Sequence, residues 1–572
     1  MSKPSVLIVG SGAGGSAVAW RLARAGHPVE ILERGRSLFP GLVEGEERFR
    51  TRFGNDEVKA GRYFENQDPL LEPRTSRTQD EANQGVERSF VGDVNDLPAT
   101  VGGGTVHWDA KVPRFWRQDF KGRSLYGPVQ GANVADWPLT YDDLAPHYDA
   151  VERRLGVQGD RRRMPAHTLH QAPRRHQFVM PPNPPSHAGT LMAEGAESLG
   201  YEPYPFPMAV NSRHHHGRPR CNSCGFCSGF GCPIQARGGA LSFLAPAIAA
   251  GARVHERCFV HKIGVSRDGR RATSVAYVDR HGRRRRAKAD IVVVAASAIE
   301  TARLLLMSRH HTHPAGIGNH SHQLGRNLMF HYFTLGVALF EPDIHAWIAP
   351  STTFTMDDFV GPDTKAAPAG LPYLKGGICE VGAGVTLLQE ADIYAALPNS
   401  FGVEHKSLMK DVSLRSHLGA IQLVGEDMPQ LANRVDLDPA IRDFHGFPVP
   451  RITHGQHQFE LAASAYYGPK LAEVCQAAPG SISSAVGVIP LVPGAPASDI
   501  EGPNSTAHIM GTARMGHDPR TSVCDGHGQV HGLENLFLAD GSVFVSSGGF
   551  NPTLTIMALA LRTADRIAGR RR

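Results

Sequence analysis

Long apolar runs are missing from this chain. In 572 residues no stretch approaches the ~20 consecutive apolar residues that span a bilayer, so a membrane-spanning helix is not expected. Cysteine is scarce, with 8 in all, too few for a scaffold built on disulfides. A strong excess of charge is lacking too: 60 Lys and Arg against 55 Asp and Glu leave a formal net charge of +5. The basic runs at residues 283–286 and 570–572 carry no interleaved aromatics. The first is expected as a turn between strands and the second as a tail, and neither as a nucleic-acid surface. A secretory leader has no room, because a Gly-rich motif begins at Gly10. The expected location is cytoplasmic by default, with export alongside a signal-bearing partner as the other route.

What is present begins with residues 5–34. The apolar run Val6 to Val9 reads as a strand, and glycines then break it. Ala17, Val18, Leu22 and Ala23 recur at helical spacing. Gly26 stops the helix, and Val29, Ile31 and Leu32 start a second strand. Between strand and helix, Gly10-Ser-Gly12-Ala-Gly14-Gly15 fits G-x-G-x-x-G with one glycine to spare. Gly10 permits the tight turn, Gly12 lets a pyrophosphate approach the backbone, and Gly15 lets helix and strand pack closely. The pyrophosphate then lies on the positive end of the helix. Glu33, at the end of the second strand, is placed to accept hydrogen bonds from a ribose. The pattern points to a dinucleotide and does not separate FAD from NAD.

Further along, residues 36–95 are polar and aperiodic and read as a long excursion, a candidate lid. Residues 137–156 read as a helix entered through Thr140, with Asp142 and Asp143 in its first turn. Residues 159–187 read as an irregular crossing. Residues 238–252 and 297–308 read as helices and 290–296 as a buried strand. Residues 331–500 have another texture: short alternating strands, many Gly and Pro, few long helices. Residues 535–567 return to strand, turn and long apolar helix.

Four more segments carry a resemblance: VGGGTVHW (101–108), ADIVVVAASAIETARLLLMS (289–308), LGRNLMFH (324–331) and the tail from HIMGTARMG to GGFNPTLTIMALA. With the N-terminal motif they resemble, in order, the glucose–methanol–choline (GMC) family of FAD oxidoreductases. Within it the chain is most like bacterial FAD-dependent sugar and gluconate dehydrogenase flavoprotein subunits. The resemblance implies FAD and oxidation of a sugar, polyol or sugar acid from CH–OH to carbonyl. It also implies an external electron acceptor, a protein or a quinone. The competing expectations are an O2-using oxidase of a sugar, glycoside or steroid, or an electron-transfer subunit that needs partners.

The implied fold combines α/β and α+β parts. A discontinuous Rossmann-like FAD-binding domain (1–165, 216–330 and 500–572) receives an inserted, mainly antiparallel substrate domain (166–215 and 331–499). By resemblance His508 is the catalytic base, and Asn551 holds the substrate oxygen. Gly102, Gly103, Gly104 and His107 lie along the isoalloxazine, with His107 where some relatives attach FAD covalently and others do not. Asp540 and Gly541 touch FAD. Asn551-Pro552 also reads locally as a helix start, with Asn at the N-cap and Pro at the first helical position. That helix's positive end is expected near the flavin pyrimidine.

One stretch stands apart. CNSCGFCSGFGCP places Cys221, Cys224, Cys227 and Cys232 within twelve residues. Its spacing is one residue longer than the bacterial ferredoxin run C-x2-C-x2-C-x3-C-P. A zinc site, packed thiols or disulfides, and an iron–sulfur cluster all remain open. By resemblance to sugar dehydrogenases with a three-iron cluster, Cys221, Cys227 and Cys232 are the favoured ligands and Cys224 is extra.

Overall fold

The computed structural model describes residues 3–45, 74–85, 99–225, 227, 231–384, 387–395, 397–412, 414–488 and 507–569. Most of the expected lid, and the expected boundary at 499/500, lie outside the described residues.

The four-residue run Val6–Val9 is buried throughout and forms the centre of a five-stranded parallel sheet. The order is Leu536–Leu538, Ile291–Val294, Val6–Val9, Val29–Leu32, Arg253–His255. Strands buried on both faces need unbroken apolar sequence, which is why Ile291–Val294 and Leu536–Leu538 show no polar alternation. The helix Ala13–Arg24 buries its Ala and Val face. It lies against the last helix, Thr553–Ala568, and Arg21 pairs with Asp565 across that contact. Trp20 meets Phe243 edge-on at 5.4 Å, which docks the helix Ala240–Ala249 onto the same face.

The helix Tyr141–Leu155 begins at Thr140 as expected. Thr140 Oγ1 accepts from Asp143 N, and the Asp143 carboxylate accepts from Thr140 N. This reciprocal capping satisfies two of the helix's orphan donors.

The second sheet has six strands in the order Ser481–Val488, Tyr332–Phe340, Leu418–Gly425, Cys379–Ala383, Phe354–Met356, Tyr204–Pro205. Every pairing in it is antiparallel. Across it packs a helix of twenty residues, Gln458–Ala477, which the expectation of few long helices did not foresee. Its apolar face is spread over a sequence interrupted by Pro469, so periodicity there is weak. The crossing at 159–187 contains a 3-10 turn, Arg161–Arg163, and a short α-helix, Ala166–Gln171, and ends where the helix His187–Ser198 begins.

The basic run at 283–286 is not the turn. The turn is built upstream by Asp279, whose Oδ1 accepts from His281 N and Arg283 N. Arg284–Ala287 then forms the edge strand of a three-stranded meander. Its arginines are exposed, a charged edge of the kind that resists further strand pairing. No described helix is long and apolar enough to cross a membrane.

Candidate active site

The nucleotide-binding loop is held by backbone contacts that leave no space for side chains. Gly10 has φ +94°, and a Cβ there would lie 2.3 Å from the Ala295 carbonyl oxygen. A Cβ on Gly15 would lie 2.0 Å from the Gly10 carbonyl oxygen. Gly14, the glycine that seemed spare, is the tightest: its Cβ would stand 1.6 Å from the Ala539 carbonyl oxygen. The helix therefore crosses directly over the strand end that leads to Asp540. Gly12 differs, because its Cβ would meet only Gly103 Cα, at 3.9 Å. The Gly10–Gly15 loop and the Gly102–Gly104 loop thus face each other as bare backbone, with positive φ at Gly102 and Gly103.

Glu33 is buried and holds this junction together. Its Oε2 accepts from Ser11 N (2.9 Å) and Ser11 Oγ (2.7 Å), and its Oε1 accepts from Gly35 N (2.8 Å). Ser11 Oγ in turn accepts from Gly102 N at 3.0 Å. On the far side, Asp540 accepts from Thr301 Oγ1 (2.6 Å) and Ser542 N (2.8 Å), and burial raises its pKa. Ser297 Oγ and Ser542 Oγ are buried without a hydrogen-bond partner among the described residues. A glycine-lined groove, a carboxylate at its end and orphaned hydroxyls beside it fit a dinucleotide cofactor.

His107 lies enclosed beside Arg237 and Asp109. Burial first, and then the Arg237 charge, lower its pKa to about 4, against an opposing pull from Asp109. Its neutral imidazole is suited to packing or hydrogen bonding as it stands.

The two residues expected to do chemistry come together. Met329 and Met510 exchange backbone hydrogen bonds, each at 2.9 Å. Two residues along, on the same side of this antiparallel bridge, His331 and His508 therefore stand opposite one another. Their Nδ1 atoms are 2.8 Å apart. His331 Nε2 lies 3.2 Å from the Ser547 carbonyl oxygen. Asn551 Nδ2 is 3.4 Å from His508 Nε2 and 3.0 Å from Glu380 Oε1. Burial, and then the nearby Lys111 charge, lower the His508 pKa to about 3.

Asn551 does not cap the last helix. Pro552 is the N-cap residue and no side chain caps it there, so the local reading of Asn551-Pro552 as a capped start is corrected. Glu380 has claimed the amide: a carboxylate beside the main-chain end removes the side chain from its own helix. Asn551 Oδ1 is left buried with no partner among the described residues.

Three site residues were not singled out from sequence. Glu380 sits in the buried strand Cys379–Ala383, and a lone carboxylate within such a strand was the available signal. Lys111 is a buried cation between Glu380 and Asp109, the latter at 2.9 Å. Burial opposes its charge, but the two carboxylates outweigh that effect and raise its pKa. His331 ends the LGRNLMFH segment and passed as part of a motif.

The structure brings the four cysteines of this loop together. Cys221, Cys224, Cys227 and Cys232 line one small cleft with Arg237. Among the described residues, however, no three His, Cys, Asp or Glu side chains gather as a metal site. Burial pushes the Cys227 thiol up to about 12 and also raises Cys221, so with no metal bound these thiols stay protonated. The arrangement fits packed, protonated thiols, and the iron–sulfur expectation is not supported. Arg237 ties this loop to the cofactor loop, donating to the Cys227 carbonyl (2.7 Å) and the Val106 carbonyl (2.8 Å).

Comparison with known proteins gives the lineage. Family models described as GMC oxidoreductase match residues 130–333 and 429–560, and one for a NAD(P)-binding Rossmann-like domain matches residues 8–52. The 6'''-hydroxyparomomycin C oxidase of Streptomyces lividus is 32% identical over 98% of this chain and 91% of its own length. The chain is a GMC oxidoreductase. The fructose dehydrogenase large subunit of Gluconobacter japonicus is 29% identical over 98% of this GMC oxidoreductase and 97% of that subunit. A solved formate oxidase structure shares the fold, with TM-score 0.63 at 15% identity over 99% of this chain and 98% of that one.

Proposed function

We propose that this GMC oxidoreductase converts a CH–OH group of a sugar, polyol or sugar acid to a carbonyl, with FAD as its cofactor. The observation that carries the reading is the meeting of His508 Nε2 and Asn551 at 3.4 Å, on the two segments that resemble the family's active site. FAD, when bound, supplies the hydride acceptor. His508 takes the hydroxyl proton: burial lowers its pKa to about 3, so the ring stands neutral in the free protein and able to accept. Asn551 holds the same oxygen by donation: one Nδ2 hydrogen goes to Glu380, and the other, which faces His508 Nε2 in the free protein, would turn to the substrate oxygen. Gly10, Gly12, Gly14 and Gly15 with Glu33 would hold the nucleotide. Gly102, Gly103, Gly104 and His107 would flank the ring, and Asp540 with Gly541 would contact the chain between them. We assign residues 1–165, 216–330 and 500–572 to the cofactor domain, and 166–215 and 331–499 to the substrate domain.

The electrons leave to an external acceptor, a protein or a quinone, as in a dehydrogenase. Support for this reading is the likeness to a fructose dehydrogenase large subunit. The oxidase reading has its own support, because the relative at 32% identity is named a 6'''-hydroxyparomomycin C oxidase. Peroxide formed per substrate consumed, with and without a soluble quinone, separates the two. His508→Ala tests the base: retained flavin with turnover reduced by ~10²–10⁴-fold is expected, and an unchanged rate would remove His508 from that role.

A further inference from the structure

We propose that His331 is a positioning residue that fixes which nitrogen of His508 carries the proton, holding hydrogen on Nδ1 and the lone pair on Nε2 toward Asn551. The inference rests on His508 being the base, and concerns how that base is presented.

The assignment follows from what each partner can do. The Ser547 carbonyl oxygen can only accept, so at 3.2 Å His331 Nε2 must carry a hydrogen. His331 is fully buried, and burial together with the neighbouring His508 keeps its pKa well below the usual imidazole range. A neutral imidazole with hydrogen on Nε2 has a bare Nδ1. That bare atom lies 2.8 Å from His508 Nδ1, and two bare nitrogens would repel at this distance. His508 must therefore donate from Nδ1. Being neutral itself, it leaves Nε2 unprotonated, and this is the atom that faces Asn551 Nδ2. The Asn551 amide agrees from the other side. Glu380 accepts one of its hydrogens at 3.0 Å, and the other points to a lone pair and not to an opposing N–H.

Two consequences follow for the reaction. In water an imidazole exchanges between its tautomers, and the form with hydrogen on Nε2 cannot accept a proton there. The His331 contact removes that form and aims the ring at once. When His508 gains a proton at Nε2, its Nδ1–H bond to His331 becomes charge-assisted and strengthens. The proton goes no further along this path, because the chain of bonds ends on a backbone carbonyl that cannot hold it. It stays on His508 until the product side of the reaction releases it. The same geometry explains why a histidine and not a carboxylate stands behind the base: a neutral acceptor sets the tautomer without the full charge that a buried carboxylate would add.

The test has a variant-free arm. In wild-type holoprotein labelled with 15N-histidine, and with the His508 signals assigned by difference from His508→Ala, Nδ1 should give the protonated type of resonance and Nε2 the bare type. A protonated Nε2 would overturn the proposal. In parallel, His331→Leu should lower kcat by about 10–100-fold, as expected for loss of one strong hydrogen bond to the reacting group. KM should stay within about three-fold and the flavin spectrum should persist. His331→Asn places an accepting oxygen near the old Nδ1 position and should recover most of the rate. A His331→Leu enzyme at wild-type kcat, or His331→Asn no better than His331→Leu, would refute the role. If His508→Ala loses turnover while His331→Leu does not, only this inference fails. If His508→Ala keeps its turnover, the base assignment fails first.

Discussion

Glu380→Gln is the perturbation that asks most of the site. The native carboxylate has two duties: it shares the buried Lys111 ammonium with Asp109, and it accepts from Asn551 Nδ2 at 3.0 Å. Glutamine keeps the shape and removes the charge. Lys111 is then left to Asp109, whose side chain is 26% exposed and so partly screened. A buried charge stripped of its partner costs ~3–5 kcal/mol; because Asp109 remains, we expect a loss of ~2–3 kcal/mol in stability. The second duty fails separately. Lys111 claims the one accepting oxygen of the substituted amide, whose NH2 then turns toward Asn551. The amide of Asn551 must flip in response, which turns its donor away from His508 Nε2 and the substrate oxygen. Losing a hydrogen bond to a charged group is worth ~1.5–3 kcal/mol, or about a 10–100-fold fall in kcat/KM. The two effects are separable by urea unfolding and steady-state kinetics on Glu380→Gln and on the pair Lys111→Met with Glu380→Gln. The double variant, with both charges gone, should recover stability and, because Lys111 no longer claims the amide oxygen, part of the rate as well. A single variant as stable and as active as wild type, or a double variant no more stable than the single, would refute the reasoning.

The glycine pair at the nucleotide loop offers a sharper contrast. Gly14→Ala should damage folding, because its Cβ meets a main-chain oxygen at 1.6 Å. Gly12→Ala should fold with near-native stability yet retain little flavin, and normal flavin content in Gly12→Ala would oppose the groove assignment. For pH, the folded pKa values of His508 (about 3) and His107 (about 4) lie below the unfolded value near 6.5. The unfolded chain therefore binds more protons in that window. Their contribution is complete above about pH 6.5 and is lost as pH falls toward the folded values, by up to ~1.4 kcal/mol per pH unit for each histidine. Denaturant midpoints across this range should show that acid limb, and His508→Ala should make it shallower. Cys227, with its thiol held near pKa 12, should resist a thiol reagent at pH 8 in the native state and react once unfolded. Iron at stoichiometric level in anaerobically purified protein would contradict the packed-thiol reading.

The cofactor half was legible because its signals are local. A strand, a glycine turn, a helix and an acidic residue lie within residues 5–34, and each glycine reports a contact a few residues or one strand away. Even there the sequence misread Gly14, since its constraint comes from Ala539, at the far end of the chain. His508 and Asn551 could be placed by resemblance, but their support could not. Glu380 looks like any residue of an antiparallel strand until the tertiary fold sets it against Asn551 and Lys111. His331 gains its meaning from the Met329 and Met510 pairing, a register that no local pattern carries. The helix Gln458–Ala477 was missed because a helix laid across a sheet is held by tertiary packing more than by a clean apolar stripe. The cysteine loop shows the reverse case. Four thiols in twelve residues suggested a ligand set, and the fold lines one small cleft with them without gathering three as a metal site among the described residues.

His508 and Asn551 come from the chain's last segments, around the parallel sheet, while His331 and Glu380 are delivered by the antiparallel one. On the domain assignment proposed above, the antiparallel layer is also the place to alter what the enzyme accepts. Exchanging that layer with a relative's would change the substrate face and, in the same stroke, replace the residues that orient the base and the amide. A chimera made at the sheet boundary therefore inherits new machinery along with new specificity. Keeping His331 and Glu380 in register with their partners is the condition for a working graft.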